Sequence, residues 1–456
     1  MNKAKAITAR LVILPLLSLF VAAGVLSQDA APLASKFDEY LSAAAKQGFT
    51  GSALVARDGK VIFSKGYGMA NAEWDIPNAP QTKFRLGSIT KQFTAASILL
   101  LQERGKLSAQ DPICKFFDNC PEAWKEVTVH HLLTHTGGIP NFTSFPDYRK
   151  TMTIPVTMES LVARFKDKPL DFKPGEKMSY SNSGYVALGH IIEKVAGESY
   201  ESFLQKNIFG LLKMANTGYD HHATVLKNRA TGYSFRNGKQ INSEHLDMTI
   251  PHAAGALYST VEDLFAWNEA LFSDKLLSAK SREAMMTVDK NNYAYGLAVN
   301  QQHNRKIVAH GGGINGFNTS LARFSEEKVT VVVLRNADYG AHNPGKISQD
   351  LAAILFGEKY EIPRERVAIK IDPKILDAYV GQYELNPNFI ITMTREGDSL
   401  MTQATGQPKF ELFPESETRF FLKVVEAQVT FVKDDQGVVT HLILHQGGEQ
   451  KAKKIK

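Results

Sequence analysis

Two groups of strand-like segments lie at opposite ends of residues 51–336, and a long helix-like stretch separates them. The early group, "GSALVARDGKVIFSKGYG", has two alternating runs around Asp58-Gly59, a dipeptide typical of a tight hairpin turn. The late group contains "YGLAVNQ", "KIVAHGGG", "TSLARF" and "KVTVVVLRNA". Strands at both ends with helices between them predict an antiparallel sheet closed by early and late strands, with a helical region inserted.

The middle of the chain is predicted to be helical. Segments 157–166, 183–196 and 260–272 place apolar residues at a spacing near 3.6. The tetrapeptide Ser259-Thr260-Val261-Glu262 is typical of a capping box that opens the last of these helices. The sequence therefore predicts an α+β main domain.

A second, smaller domain is expected at the carboxyl end. The segment "EIPRERVAIKIDP", residues 361–373, is typical of a linker, and residues 374–456 are mostly short alternating runs separated by turn signals. We therefore predict a main domain over 28–360, a linker over 361–373 and a small all-β, barrel-like domain over 374–456.

The amino terminus has the three-part pattern of a secretory signal peptide. Lys3, Lys5 and Arg10 precede an apolar run from Leu11 to Val25, which small residues then follow. The run is short for a membrane span and is soon followed by "SQDAAP". We expect a signal peptide over residues 1–27 and an exported protein, periplasmic or secreted, with no stable membrane anchor after cleavage.

Composition excludes two other classes of protein. With 43% hydrophobic and 22% charged residues, the chain is not of a disordered type. The net charge of +6 falls to +3 without the three basic residues of the leader, and part of the remainder lies in the tail 451–456. Such a balance does not indicate a nucleic-acid partner.

The two cysteines, Cys114 and Cys120, stand close together in "PICKFFDNCPEAW". In an oxidising compartment a local disulfide is expected, and two inert buried thiols are the alternative. Zinc would need a second pair of ligands. His131 and His135 have helical i, i+4 spacing but lack the glutamate and third ligand of a zinc enzyme, so no metal or cofactor is predicted.

The stretch "AHGGGINGF", residues 309–317, has three interpretations. It contains the HGGG of lipases and the G-x-G-x-x-G of dinucleotide-binding folds, or it ends a strand beside another active site. The chain has no G-x-S-x-G nucleophile elbow, which a lipase needs. Gly316 is followed by a strand-like run where a dinucleotide-binding fold would have a helix. The third interpretation is therefore favoured.

A candidate nucleophile lies in "FRLGSITKQFTAASILLLQERG". Its apolar spacing predicts a buried helix that ends at Gly105 and has Ser88 in its first turn. Lys91 lies three residues after Ser88 on the same face, so its amine can reach the hydroxyl. The positive end of the helix dipole also favours an oxyanion beside the N–H of Ser88. The same S-x-x-K pattern at Ser325–Lys328 lies in a charged turn and is attributed to chance.

Two further motifs accompany Ser88 and Lys91 in a fixed order. Tyr180-Ser181-Asn182 is the only Y-x-N of the chain, and His310-Gly311-Gly312 begins a late strand. With these motifs, residues 36–357 resemble the serine β-lactamase and penicillin-binding-protein superfamily, in particular its class C β-lactamase, DD-peptidase and esterase branch. The segment "HHLLTHTGGIP" is similar to a marker of that branch.

The resemblance implies roles for the motif residues and a β-lactamase/transpeptidase-like fold. Ser88 would be the acylated nucleophile and Lys91 and Tyr180 the proton-handling pair. Asn182 would hold Lys91 and the substrate amide, and His310 would be a hydrogen-bond partner of Tyr180. Gly313 would supply the second oxyanion N–H beside that of Ser88.

The glycines that follow His310 have a predicted role too. Gly311 and Gly312 would let an acyl group lie close against their strand. The carboxyl-terminal domain resembles the lipocalin-like β domain appended to some members, and we expect it to shape access or assembly without performing chemistry.

The proton-handling pair needs unusual acidities. Free lysine and tyrosine have pKa values of about 10.4 and 10, and both must fall by about three units to serve near pH 7. We expect each to lower the other's pKa, because a nearby ammonium stabilises a phenolate and apolar packing disfavours the ammonium.

One departure from the family pattern concerns the substrate. β-Lactamases of this superfamily have Lys-Thr-Gly or a close variant where this chain has His310-Gly311-Gly312, and a largely neutral histidine replaces that lysine poorly. Arg323 or Arg335 could supply the charge instead. We expect a secreted serine hydrolase acting on amide or ester bonds of D-amino-acid peptides, esters or β-lactam-like compounds. The alternative is a non-catalytic binding protein, and the oligomeric state is left open.

Overall fold

The computed structural model describes residues 30–456 apart from 237–238, 341, 426 and 447–448. The predicted signal peptide, residues 1–27, lies outside the described residues. Within the described ranges, no helix has the length and apolar character needed to cross a membrane. The chain forms an α+β domain followed by a closed β-barrel, as the sequence predicts.

The α-helices of the described chain lie almost entirely between the early and late strands. They are α1 (Ala30–Lys46), α2 (Thr90–Glu103), α3 (Val129–Leu133), α4 (Tyr148–Thr151), α5 (Met158–Lys166), α6 (Asn182–Ala196), α7 (Tyr200–Leu204), α8 (Gly210–Leu212), α9 (His252–Gly255), α10 (Val261–Leu271), α11 (Ala279–Met286) and α12 (Pro344–Phe356).

The strands fall into the main domain and the barrel. The main-domain strands are β1 (Gly51–Arg57), β2 (Lys60–Tyr67), β3 (Met69–Asn71), β4 (Ile76–Pro77), β5 (Phe84–Arg85), β6 (Gly218–Tyr219), β7 (Tyr233–Arg236), β8 (Lys239–Asn242), β9 (Leu257–Ser259), β10 (Ala298–Gln302), β11 (Arg305–Ile314), β12 (Phe317–Phe324) and β13 (Val329–Arg335). The barrel strands are β14 (Gly381–Asn386), β15 (Phe389–Glu396), β16 (Ser399–Ala404), β17 (Phe410–Pro414), β18 (Arg419–Phe421), β19 (Gln428–Lys433), β20 (Val439–His445) and β21 (Glu449–Lys454).

The main sheet joins the two ends of the domain. Its strand order is β10-β11-β12-β13-β1-β2, so the first strand of the domain pairs with its last, with Gly51 opposite Arg335. The β1–β2 turn has positive φ at Asp58 and Gly59, the backbone that a tight hairpin requires. The antiparallel sheet predicted from the sequence is confirmed.

Alternation along the strands gives the sheet two apolar faces. In β1, Leu54 and Ala56 face the helical region, whereas Ala53 and Val55 face α1 and α12. Two cores therefore flank the sheet. The larger core lies on the side of α2 and α6 and surrounds the segment that carries Ser88.

The predicted helices are present, with one correction at a helix start. The helix predicted over 260–272 is α10, but its amino-terminal cap is Thr260, whose side chain accepts from the N–H of Asp263. The predicted capping box of Ser259 and Glu262 is therefore wrong by one residue. Ser259 instead belongs to β9, and its hydroxyl bonds that of Thr217 at 2.6 Å.

The carboxyl-terminal strands β14 to β21 form a closed barrel in sequential order, with β21 pairing back to β14. Its interior contains stacked aromatic rings, including Tyr379 and Phe431 at 4.1 Å between centroids. The segment before β14 contacts the barrel at two points. The Arg366 guanidinium pairs with the Glu415 carboxylate at 2.7 Å, and the N–H of Ile369 donates to the carbonyl oxygen of Pro414 at 2.9 Å. The domain limits proposed from the sequence stay predictions.

The two cysteines form a local disulfide. Cys114 and Cys120 are joined by an S–S bond that closes a short loop. Phe117 and the indole of Trp124, which follows the loop, lie edge to face at 5.3 Å between ring centroids. The bond thus fixes a loop on the helical side of the main domain.

Candidate active site

Ser88 lies in a single turn of 3₁₀ helix, Gly87–Ile89, that continues directly into α2. Gly87 has φ +54°, a conformation that a side chain disfavours, and its backbone packs against Gly313 of β11. A β-carbon at Gly87 would come within 3.0 Å of the Gly313 nitrogen. The turn therefore places the serine against the late strand that carries the HGGG segment.

Lys91 lies one turn into the same helix and is fully buried, with 0% of its surface exposed. Its Nζ lies 3.0 Å from Ser88 Oγ, 2.9 Å from Asn182 Oδ1 and 2.8 Å from the carbonyl oxygen of Ala254. The predicted S-x-x-K contact is thus present in the structure. The Ser325–Lys328 copy lies in the turn between β12 and β13, as expected.

Burial changes the protonation of Lys91. Removal of its amine from water lowers the pKa of Lys91 well below the usual value of 10.5. A neutral amine has two N–H donors and one lone pair. In that form, with Asn182 Oδ1 and Ala254 O accepting from the two donors, the lone pair is left to accept the proton of Ser88.

Asn182 opens α6 and connects three parts of the site. Its Oδ1 accepts from Lys91, its Nδ2 donates to Thr143 at 3.2 Å, and its backbone N–H donates to Asn141 Oδ1 at 3.1 Å. The adjacent Ser183 hydroxyl donates to the Pro140 carbonyl at 2.6 Å. These bonds fix the loop before Thr143 against the start of α6.

Tyr180 lies beside the lysine but differs from it in environment. Its ring centroid is 4.8 Å from Lys91 Nζ, and the residue is 36% exposed. Desolvation by the surrounding protein raises the pKa of Tyr180, and a hydrogen bond with Ser88 opposes that rise only in part. The expectation that Lys91 and Tyr180 would both have lowered pKa values is therefore wrong for Tyr180. The desolvation that lowers the pKa of Lys91 also disfavours the ammonium form that would stabilise a phenolate.

Gly313 lies on an uncovered edge of the sheet. Strand β10 pairs with β11 only as far as Ala309, and no other strand of the described residues pairs with that edge of β11 beyond Ala309. In an antiparallel pair, alternate residues direct their N–H groups away from the partner strand. Ile314 and Phe317 close the β11–β12 hairpin and bond each other, so the N–H of the preceding residue, Gly313, is directed away from β12. Its N–H can therefore join that of Ser88 in binding an oxyanion.

His310 makes a different contact from the one expected. It is 9% exposed, and its Nε2 lies 2.9 Å from the hydroxyl of Tyr293, not of Tyr180. Its Nδ1 lies at the carbonyl of Gly311, to which it donates, and in the neutral form its Nε2 accepts from the Tyr293 hydroxyl. Burial, and then the nearby Lys91, lower the pKa of His310 to about 4. The prediction of a Tyr180 partner is wrong because Tyr293 occupies the acceptor nitrogen.

The two glycines after His310 differ in how closely other parts of the protein approach them. A β-carbon at Gly312 would lie 1.9 Å from the carbonyl oxygen of Leu86, so this glycine is required where β11 packs against the segment before Ser88. At Gly311 the nearest atom would be 3.5 Å away. The structure thus gives Gly312 a packing role, and substrate contact by His310, Gly311 or Gly312 stays a prediction.

A cavity of about 180 Å³ opens beside Ser88. Its lining combines backbone and small side chains of the catalytic turn, β11 and α9 with larger apolar side chains. The lining residues are Gly87, Ser88, Phe142, Thr143, Tyr148, Asn182, Leu246, Pro251, Ala254, Gly255, Gly313, Ile314 and Asn315. Three predicted residues, Ser88, Asn182 and Gly313, therefore share one cavity.

Several site residues were missed by the sequence reasoning. The carbonyl of Ala254 is a backbone group, and no sequence pattern indicates it. Tyr293, which binds His310, has no motif of its own. His135 lies in the "HHLLTHTGGIP" segment, and its ring centroid is 4.2 Å from that of Tyr180. No group of three or more His, Cys, Asp or Glu side chains that could hold a metal ion occurs in the part of the chain that the structure describes.

Comparisons with known proteins agree with this geometry. A family model described as Beta-lactamase matches residues 34–354, and one described as a domain of unknown function, DUF3471, matches residues 365–455. Penicillin-binding protein 4* of Bacillus subtilis is 30% identical over 439 residues, covering 90% of this chain and 96% of that protein.

Solved structures show the same relationship. The octameric penicillin-binding protein homologue from Pyrococcus abyssi is 29% identical, with a TM-score of 0.67, over 93% of this chain and all of that one. A D-stereospecific amidohydrolase from Streptomyces is 26% identical, with a TM-score of 0.62, over 72% of this chain and 99% of that one. The chain therefore belongs to the β-lactamase family of serine hydrolases.

Proposed function

We propose that this chain is an exported hydrolase that forms an acyl-enzyme at Ser88 and acts on amides or esters that lack a carboxylate, such as aryl esters and neutral peptides. The observation that carries the proposal is the environment of Lys91. A fully buried amine with two fixed acceptors and Ser88 Oγ at 3.0 Å is arranged to remove the serine proton.

In the proposed reaction, Lys91 Nζ accepts the proton of Ser88 as Oγ attacks the substrate carbonyl. The resulting oxyanion accepts hydrogen bonds from the N–H groups of Ser88 and Gly313. Tyr180, neutral and close to both Ser88 and Lys91, donates its proton to the leaving group and regains one from Lys91. Water then attacks the acyl group by the reverse proton path and releases the product acid.

Two features support export. The leader pattern of residues 1–27 is typical of a secretory signal. The Cys114–Cys120 disulfide fits an oxidising compartment, where such bonds persist.

The surroundings of His310 support a preference for substrates without a carboxylate. A neutral imidazole bonded to Tyr293 cannot replace the lysine that β-lactamases of this family have at this position. The alternative cations are engaged elsewhere: Arg323 pairs with Glu269, and Arg335, 1% exposed, donates to the His342 carbonyl. Losing a charged hydrogen-bond partner for a desolvated carboxylate costs a few kcal/mol, about a hundredfold in rate.

Labelling with a fluorophosphonate tests the acyl-enzyme. We expect one covalent label on the wild type and none on Ser88→Ala, with unchanged circular dichroism. A folded wild type that takes no label would favour the alternative of a non-catalytic binding protein.

Substrate charge is tested by comparing kcat/KM for a chromogenic cephalosporin and a short-chain p-nitrophenyl ester. We expect the ester to be turned over faster. A cephalosporin preferred tenfold or more would show that the neutral His310 does not limit this enzyme.

A further inference from the structure

Four of the residues that line the cavity beside Ser88 have large apolar or aromatic side chains, and they come from separate parts of the chain. Phe142 and Tyr148 come from the loop and short helix after the "HTGG" segment, Leu246 comes from the segment before α9, and Ile314 ends β11. Phe142 and Leu246 are each 2% exposed. A volume of about 180 Å³ exceeds that of cavities that bind benzene, about 150 Å³.

The polar part of the same lining carries no charge. Its side chains are the amides of Asn182 and Asn315 and the hydroxyls of Ser88, Thr143 and Tyr148, and no Asp, Glu, Lys or Arg lines the cavity among the residues that the structure describes. Lys91 lies behind this lining, with its donors committed to Asn182 and Ala254. A carboxylate or ammonium entering the cavity would therefore lose water and gain no opposite charge.

We propose that this cavity is the acyl subsite and that it selects an uncharged apolar acyl group about the size of a benzyl side chain, with its amine, where there is one, blocked. The inference rests on the proposed acyl-enzyme at Ser88. It adds a selectivity to that chemistry: free α-amino acyl groups and acidic acyl groups are both disfavoured.

A matched series of p-nitrophenyl esters tests the subsite. The acyl groups are 4-ethyl-, 4-aminomethyl- and 4-carboxyphenylacetyl, which differ in charge at nearly constant shape. We expect kcat/KM for the ethyl compound to exceed each charged one by about a hundredfold at pH 7.5. Equal values for the three esters would overturn the inference, whereas absence of fluorophosphonate labelling would overturn the proposed function itself.

A reversed charge preference gives a second test. Ile314 is half-buried at the end of β11, and Ile314→Asp places a carboxylate in the lining while Ile314→Asn controls for polarity. We expect Ile314→Asp alone to raise the kcat/KM of the aminomethyl ester relative to the ethyl ester, by about tenfold. The same change in Ile314→Asn would show that charge is not what the cavity selects.

A different observation concerns His135, which follows the end of α3. Its backbone is left-handed, with φ +59°, and its side chain is buried at 3% exposure. The ring lies among three tyrosine rings, with centroids 4.2 Å from Tyr180, 5.0 Å from Tyr185 and 4.8 Å from Tyr293. His135 thus packs directly against the ring of Tyr180.

The same residue binds both chain neighbours of Tyr180. Its carbonyl oxygen accepts from the N–H of Ser179 at 2.9 Å, and its ring Nδ1 accepts from the N–H of Ser181 at 3.2 Å. One histidine therefore fixes the backbone on each side of Tyr180 and contacts the ring between them.

Acceptance at Nδ1 requires that nitrogen to be unprotonated. Burial, with the neighbouring Lys91 and His310, lowers the pKa of His135 well below 6.5. The other titratable groups around it are the neutral phenols of Tyr180, Tyr185 and Tyr293. The ring is therefore neutral, with its proton on Nε2, in the tautomer that the Ser181 bond needs.

We propose that His135 is a positioning residue, which holds the Tyr180 hydroxyl at Ser88 and does not itself contact the substrate. It is not among the residues that line the cavity beside Ser88. The inference depends on the proposed role of Tyr180 in proton transfer. A displacement of that hydroxyl by about 1 Å would cost about a hundredfold in rate.

Two variants separate positioning from packing. His135→Asn keeps an acceptor near the Nδ1 position and tolerates the left-handed backbone, whereas His135→Phe keeps the ring but loses the acceptor. For a p-nitrophenyl ester, we expect His135→Phe to lower kcat about a hundredfold with little change in KM, and His135→Asn to retain most activity.

The decisive measurement repeats His135→Phe in a Tyr180→Phe background. A positioning residue has no further effect once the hydroxyl is gone, so we expect the two losses not to add. Additive losses, or equal damage in His135→Asn and His135→Phe at unchanged circular dichroism, would overturn the inference. Labelling of the wild type at Ser88 shows separately whether the proposed function holds.

Discussion

The burial of Lys91 should make the stability of the main domain depend on pH in a defined direction. In the unfolded chain the amine titrates near 10.5, whereas burial lowers its pKa well below that value in the folded protein. Between the two pKa values the unfolded state binds one more proton than the folded state. Stability from this group therefore rises with pH across that window.

The slope follows from the number of protons. One proton difference corresponds to about 1.4 kcal/mol of unfolding free energy per pH unit, or about 2.7 kcal/mol over two units inside the window. Lys91→Met removes the titration and also removes three hydrogen bonds. The lost bonds add an offset that does not vary with pH, so the slope is the quantity to measure.

Urea unfolding followed by tryptophan fluorescence is suited to this measurement. The three tryptophans, Trp74, Trp124 and Trp267, all lie in the main domain, so the signal excludes the barrel. We expect the stability of the wild type minus that of Lys91→Met to rise by about 1.4 kcal/mol per unit between pH 7.5 and 9.5. The exposed Lys106→Met controls for the lost charge.

A difference that stays constant over this range would refute the reasoning. It would mean that Lys91 keeps its proton in the folded protein and cannot serve as the base while in that form.

Three further outcomes are expected. Ser88→Ala should abolish ester turnover, and Tyr180→Phe should lower kcat/KM by orders of magnitude, both at unchanged circular dichroism. Unchanged activity in Ser88→Ala would show that another residue is the nucleophile. Gly312→Ala should lower the free energy of unfolding by about 1–3 kcal/mol, because its methyl group meets a backbone carbonyl, whereas Gly311→Ala should leave urea denaturation nearly unchanged; equal effects would contradict the packing role. A chain ending at Phe356 should fold and take the fluorophosphonate label; a folded but unlabelled product would give the barrel a part in the chemistry.

The sheet and the nucleophile could be predicted from the sequence because short-range patterns encode them. The alternation around Asp58-Gly59 and in the late runs specifies strands, and the S-x-x-K spacing brings Ser88 and Lys91 together on one helical turn. The family resemblance then places Asn182 and Gly313, which the structure brings to the same cavity.

The remaining features depend on tertiary contacts that no local pattern encodes. Tyr293 binds His310, and the Ala254 carbonyl binds Lys91, through distant parts of the chain. The raised pKa of Tyr180 results from partial desolvation by neighbouring residues, which the sequence does not reveal. The sequence suggests that Gly312 faces the substrate, yet in the structure a side chain at this position is excluded by the carbonyl oxygen of Leu86.

The pairing of β1 with β13 has a consequence for how the protein is made. Ser88 belongs to the early part of the domain and Gly313 to the late part, and the sheet that joins them is complete only when Gly51 reaches Arg335. Contacts between residues so far apart in the chain form slowly, because the loop between them must close first. A nascent or truncated chain lacking β13 contains Ser88 and Gly313 but not the strand that joins β12 to β1, so we expect it to stay inactive until the whole main domain has been synthesised.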